Sequence, residues 1–365
     1  MTFGQLGWVD GLGFALALIL EIPTGVLGDL FGKKRTILLS LIFSTIGVGL
    51  IAFSNSFAML FAGSLISNLG FALFSGTGDA FLYDSLIDMK KEGDYGRVVA
   101  KSRNIVIWTY ATTAFLGSYL YFYWDRLPQI LWGLGYFLGL AIVPFLVEPK
   151  VDTLKFSLKN YFQQAVVGFK LLFHSKLINY ALFALFISGA YYMYSWGFIR
   201  PAMANSFGFY VRQQGWIFPS LAILSTVFVK FLPQIRNKIS DLKGLSLLLL
   251  LMSLGFMSAF FRLGNFGLIT LSVIAITGNL ADPWISAVVN KEIDSKYRAT
   301  TLSTLALLSK IPYVLLAIIA GNAIQNGSFG KFNLSYGGFL LLMVIVGIVV
   351  DLEVKRSSNK LPITG

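Results

Sequence analysis

The feature that most constrains this chain is the length of its apolar runs. Stretches of about twenty largely uncharged residues recur from end to end, the length a helix needs to cross the hydrocarbon core of a bilayer. They fall at about 6–30, 36–54, 57–83, 104–124, 129–147, 177–204, 213–233, 244–262, 265–289, 299–323 and 335–352. Hydrocarbon offers the backbone no hydrogen-bond partner, so such runs close their bonds internally as helices. The expectation is an all-α integral membrane protein with about eleven spans. Composition points the same way. The chain is 56% hydrophobic and only 13% charged, with a mean hydropathy of +0.73, whereas soluble domains carry about 25% charged residues.

The net charge of +12 is not gathered into a basic domain, so no nucleic-acid partner is expected. The cations sit in short loops between apolar runs, and every second loop is basic. Lys33, Lys34 and Arg35 fill one, and Lys90, Lys91, Arg97, Lys101 and Arg103 fill the next but one. Arg236, Lys238 and Lys243 follow, then Lys291, Lys296 and Arg298, and the tail has Lys355, Arg356 and Lys360. The alternate loops hold only Arg126, Arg212, Arg262 and Lys331. The positive-inside rule predicts basic loops and C-terminus in the cytoplasm of a cell-membrane protein, and an odd number of spans puts the N-terminus outside. The long connection 148–176 alternates Leu158, Tyr161, Phe162, Ala165, Phe169 and Phe173 with Lys155, Lys159, Gln163 and Lys170. It reads as an amphipathic helix, lying either on the membrane surface or against the protein. The only histidine, His174, lies near its end, where it reads as an interfacial residue or a pH-sensitive one.

The two halves echo each other. Gln5-Leu-Gly-Trp8 opens the first span and Gln213-Gln-Gly-Trp216 the seventh; Tyr95-Gly-Arg97 with Ser102 matches Lys296-Tyr-Arg298 with Ser303. The offsets (213 − 5 and 298 − 97) are 208 and 201, which describes parallel repeats of about 200 residues. A full span, 177–204, precedes the second Gln-x-Gly-Trp, and its counterpart would lie before Met1. The chain therefore reads as lacking its first helix, through a misplaced start or a truncated gene, or else as a genuine eleven-span protein. The expected organisation is an N-terminal bundle at 1–147, a linker at 148–176 and a C-terminal bundle at 177–365.

After the first span comes Gly25-Val-Leu-Gly28-Asp29-Leu-Phe-Gly32-Lys33-Lys34-Arg35. Small residues let helices approach closely, a glycine permits the tight turn, and the carboxylate of Asp29 suits a neighbouring helix N-terminus. This stretch resembles the cytoplasmic loop motif between helices 2 and 3 of the major facilitator superfamily, except that Leu30 stands where that family has Arg or Lys. The resemblance implies the major facilitator fold, two parallel six-helix repeats, here with the first helix missing. It also implies transport by alternating access, with the motif latching the halves in the outward-facing state and Asp29 facing the start of helix 11, here Arg298-Ala-Thr300. Glu21-Ile-Pro23, Ser75 to Ser85 and Asp282-Pro283 to Ser303 look like bacterial members near the drug:proton antiporter branch. The helix 5 motif of those antiporters is absent from 104–124, which has only Gly117 and no proline.

Ionisable residues at membrane depth are costly, and they face a cavity or a partner. Glu21, Asp79, Asp282 and Lys310 fall within spans, and Arg200 lies near an outer end. Glu21 or Asp79 could take up a proton coupled to substrate movement, or Glu21 could pair with Lys310. Asp84, at the cytoplasmic end of its span, suits gating or loop anchoring. Tyr83, Trp196 and Trp284 fall on helices that line the cavity in the family; with the carboxylates they suit a lipophilic cation, and otherwise they are interfacial or packing aromatics. There is no phosphate-binding lysine loop, no His-Glu-x-x-His, no acidic metal cluster and no cysteine, so neither enzyme chemistry, a cofactor, a metal nor ATP drive is expected. The expected function is secondary transport of a small solute by a monomer in the bilayer, as proton-coupled export of an amphiphilic compound. A facilitator-type importer or uniporter of a sugar, peptide or organic anion, and a truncated non-transporting protein, are the alternatives.

Overall fold

The computed structural model describes residues 2–149, 178–292 and 295–358, with Val166 and Lys170; along 21–31, 295–303 and 354–358, and at a few single positions, only the backbone is described. The linker expected at 148–176 therefore lies mostly outside the described residues, as does His174. Every regular element among the described residues is helical. Among the described residues nine helices are long and apolar enough to cross a membrane, or up to eleven if each of two bent pairs is one span. The all-α architecture is the one expected from the sequence. The chain divides into two compact units, Met1–Phe162 and Gln163–Gly365.

The first unit holds α1 (Phe3–Phe31), α2 (Lys33–Ala52), α3 (Phe57–Asp88), α4 (Tyr95–Tyr123) and α5 (Leu127–Leu140). Two helices in lipid gain little by hiding apolar surface from each other, so close packing must come from small side chains. Here α2 crosses α3 at Gly47, where a Cβ would lie 2.3 Å from the backbone nitrogen of Ser67. Gly70 meets Ser40 and Ser44 in the same crossing. On the other side of α3, Ser64 Oγ donates to the Val9 carbonyl of α1 at 3.4 Å. By contrast α4 and α5 expose most of their length, including Trp108, Trp132 and Phe137.

The second unit holds α6 (Ile178–Ser195), α7 (Ile199–Ser206), α8 (Val211–Lys230), α9 (Leu232–Lys238), α10 (Asp241–Ser258), α11 (Gly267–Glu292), α12 (Ser295–Gln325) and α13 (Phe329–Ser358). Its centre is α6, which packs against α10, α11, α12 and α13 and fully buries Ile187, Ala190 and Met193. The stretch expected as one span at 177–204 bends by 72° between α6 and α7. Gly197 makes the corner with φ +57, a left-handed value that glycine adopts without strain. The stretch expected at 213–233 bends by 50° between α8 and α9, where Pro233 begins a new helix.

The internal repeat extends to hydrogen-bond detail. Val211 and Asp241 open α8 and α10 208 residues after Phe3 and Lys33 open α1 and α2 (211 − 3 and 241 − 33). At the start of α1 the Thr2 N–H donates to Gln5 Oε1 at 3.0 Å; at the start of α8 the Tyr210 N–H donates to Gln213 Oε1 at 2.9 Å. A glutamine reaching back in this way satisfies one donor that the helix itself cannot. The same registration pairs α3 with α11, α4 with α12 and α5 with α13, leaving α6 and α7 without a counterpart among the described helices of the first unit.

Candidate functional site

The sequence motif ends in a junction of three segments of the first unit. Gly32, at φ +92, turns the chain from α1 into α2. The first two amides of α2 then meet one carboxylate: the Lys33 N–H donates to Glu148 Oε1 at 2.6 Å and the Lys34 N–H to Glu148 Oε2 at 2.8 Å. An anion at a helix N-terminus caps orphan donors and complements the helix dipole. The turn needs its glycine for a second reason: a Cβ on Gly32 would lie 3.2 Å from Glu148 Oε2. The Lys33 ammonium points the other way, into α3, and pairs with Asp84. Both are buried, at 7% and 6% exposure. Lys34 Nζ donates to the Pro144 carbonyl at 3.0 Å. Glu148 was not among the expected site residues, although it is the only acidic residue between Asp125 and Asp152.

The second unit carries a related junction. Asp241, first residue of α10 as Lys33 is of α2, accepts from Arg236 Nε at 2.8 Å and Nη2 at 3.1 Å. It also accepts from the indole of Trp284 at 2.8 Å. Trp284 stands 200 residues after Asp84 (284 − 84), so the two helix starts are stapled to matching places on α3 and α11 by different chemistry. Of the two readings open for Trp284, a cavity aromatic or a packing one, its burial favours packing. It is 2% exposed and packs against Gly244, where a Cβ would be 1.9 Å from its ring.

The remaining expected residues scatter. Asp79 is exposed on α3, nine residues before the helix ends, or about 13 Å along its axis. Tyr83, one turn on, is exposed and meets Tyr95 edge-on at 5.1 Å. Asp282 is exposed on α11, and Lys310 is half-buried on α12. Trp196 stacks on Tyr192 at 5.5 Å, and Tyr192 meets the buried Tyr313 at 5.9 Å. Arg200 lies over the Phe218 ring at 4.4 Å. Glu21, Gly25, Gly28 and Asp29 fall on α1 and Arg298 on α12, where only the backbone is described; the Glu21–Lys310 pair thus lies outside the described residues. At the opposite end of the first unit an open cleft of about 490 Å³ is lined by Leu6, Asn55, Tyr121, Asp125, Arg126 and Gln129, among others. Among the described residues no cluster of His, Cys, Asp and Glu could hold a metal ion.

Apolar helices arranged as two repeats, with charges concentrated at stapled helix starts and a few carboxylates left within spans, define a multi-pass membrane protein built to handle a solute. The family model of the Major Facilitator Superfamily matches residues 1–317, and the chain belongs to that superfamily; it is a membrane transporter of this type. It is 23% identical over 374 residues to an uncharacterised MFS-type transporter, YxaM, of Bacillus subtilis strain 168, across 99% of this chain and 90% of the relative. Among solved structures it resembles the nucleoside transporter NupG, with a TM-score of 0.75 at 14% identity, covering 96% of this chain and 91% of that one. It also resembles a bacterial homologue of the lysosomal transporter Spinster, with a TM-score of 0.70 at 16% identity, covering 98% and 91%. At these identities the solved structures speak to the fold alone.

Proposed function

We propose that the protein exports an amphiphilic compound from the cytoplasm in exchange for protons, by alternating access. One observation carries the reading: Asp79, a carboxylate in the inner part of an apolar span, is exposed on its unit. An acid at that depth belongs to a polar pathway and not to hydrocarbon, because lipid would not tolerate the charge. Glu21, on the neighbouring α1, is the second candidate for carrying a proton. The gate is the motif loop. Glu148 and Asp84 hold Lys33 and Lys34 from two sides, which makes the start of α2 a rigid platform. Gly25, Gly28 and Asp29 on α1 and Arg298 on α12 are the proposed closing partners.

Everted vesicles holding a pH gradient test this. Adding tetraphenylphosphonium should release protons through the wild-type chain, and the release should fall at least to background in Asp79→Asn. Proton release that survives both Asp79→Asn and Glu21→Gln would sink the coupling assignment. A facilitator that carries an organic anion is the second reading, favoured by Lys310, a cation set within the apolar stretch Thr304–Gln325. In that case the vesicles take up the anion and show no response to the cation.

A further inference from the structure

Asparagine can react with its own chain. The backbone nitrogen of the following residue attacks the side-chain carbonyl, at a rate set by how freely the two approach. A following glycine shields that nitrogen least, having no Cβ. The chain has one Asn-Gly pair, Asn326-Gly327, and two Asn-Ser pairs, Asn55-Ser56 and Asn205-Ser206.

The structure treats the three differently. Asn55 Oδ1 accepts from Arg126 Nη2 at 2.7 Å, and Asn205 Oδ1 accepts from Gln214 Nε2 at 2.8 Å. Both carboxamides are therefore held by a partner. The Asn326 side chain makes no hydrogen bond to any described residue. It directly follows α12, and Gln325, Asn326 and Gly327 are all exposed, so water reaches the pair. Gly327 turns the chain at φ +66, with nothing within 4 Å of where a Cβ would lie. The attacking nitrogen is lightly engaged. The Gly327 N–H donates to the Ile324 carbonyl at 3.2 Å, the long end of the normal range, whereas the Ser328 N–H reaches the Ala323 carbonyl at 2.8 Å. These two bonds make the left-handed turn that closes many helices, and the last turn of a helix is where it frays.

We propose that Asn326-Gly327 is a site of spontaneous covalent modification, at which the turn between α12 and α13 converts to isoaspartate. The Gly327 nitrogen gives up its proton and bonds to Asn326 Cγ. The bond from Cγ to the side-chain nitrogen breaks, and that nitrogen leaves as ammonia, taking the proton. The resulting five-membered imide adds water. Opening at Cγ leaves aspartate; opening at the main-chain carbonyl leaves isoaspartate, with the chain running through the former side chain. Nothing is oxidised or reduced. Isoaspartate lengthens the backbone path by one carbon and sets a negative charge where the α12 dipole is already negative. The modification thus loosens the joint between α12 and α13. The site is independent of the transport reading.

The test ages the full chain in lipid nanodiscs at mildly alkaline pH, in water enriched in oxygen-18, and maps its peptides by mass spectrometry. The peptide holding Asn326 should take up the heavy oxygen ahead of those holding Asn55 and Asn205. A purified isoaspartyl methyltransferase should methylate the same peptide. Asn326→Gln, which would have to close a larger ring, should lose both signals at that position. Size-exclusion chromatography before and after ageing establishes that the labelled chain is folded. Uptake at Asn326 no faster than at Asn55 and Asn205, or aspartate formed without isoaspartate, overturns the site. Labelling of Asn326 in the unfolded chain alone would overturn it too, because the folded turn would then protect the pair.

Discussion

At the scale of single residues the clearest consequence concerns Lys33 and Asp84. Taking a charge out of water is costly, and here each charge is tolerated because the other is present. Lys33→Ala should therefore destabilise the protein by about 3–5 kcal/mol, since it leaves a buried carboxylate without its cation. The double variant Lys33→Met with Asp84→Leu should recover most of that loss. Detergent-solution melting of the wild type, the single variant and the double variant checks it, and a double variant no better than the single one would remove the pair as the cause. Lys33 and Asp84 were both singled out in the sequence, one in the motif and one at the end of its span, but their pairing was not. They are 51 residues apart, and only the rotation of α3 about its axis decides which of its side chains meets α2. Glu148 was missed for the same reason, standing 115 residues from the amide it caps. Trp284 stayed open between two readings for a related one: its helix was legible, but the partner of its indole depends on where Asp241 begins its own helix.

At the scale of elements, the crossing of α2 on α3 makes a sharp comparison between two neighbouring glycines. At Gly47 a Cβ would strike backbone, the Ser67 nitrogen at 2.3 Å and the Gly63 carbonyl at 2.7 Å, whereas at Gly49 nothing lies within 4 Å. Gly47→Ala should push the helices apart and cost about 1–3 kcal/mol, as overpacking does. Gly49→Ala should be neutral or slightly stabilising, because alanine is the better helix former. Equal melting temperatures for the two variants would show that the crossing does not hold the unit together. The spans were legible because hydrophobic length is read directly from the chain. Two bends were not, since a hydropathy window reports composition and is blind to direction. Gly197 and Pro233 are the local signals, and only their conformation distinguishes them from the many glycines and prolines that leave helices straight.

At the scale of the whole molecule, the basic loops predict an orientation. The chain has no cysteine, so single-cysteine variants need no background removed. Cysteines at the exposed positions Lys91 and Lys238 should react with a membrane-impermeant maleimide only in everted vesicles, and those at Asn55 and Asn265 in intact cells. Labelling of Lys91→Cys from outside would invert the topology, and the direction of export with it. The repeat was legible in Gln5 and Gln213 because a helix start carries its own local sequence signal. The matching of Asp84 with Trp284 was not, because the two residues share no chemistry and gain meaning only when the helices are superposed. The helix starts at Lys33 and Asp241 show what such a match can lead to. One is fastened to its neighbour by a buried ion pair and the other by an indole N–H. A repeated fold can thus keep a joint while exchanging the fastener, which gives a lineage of such proteins room to vary its residues while the architecture is inherited intact.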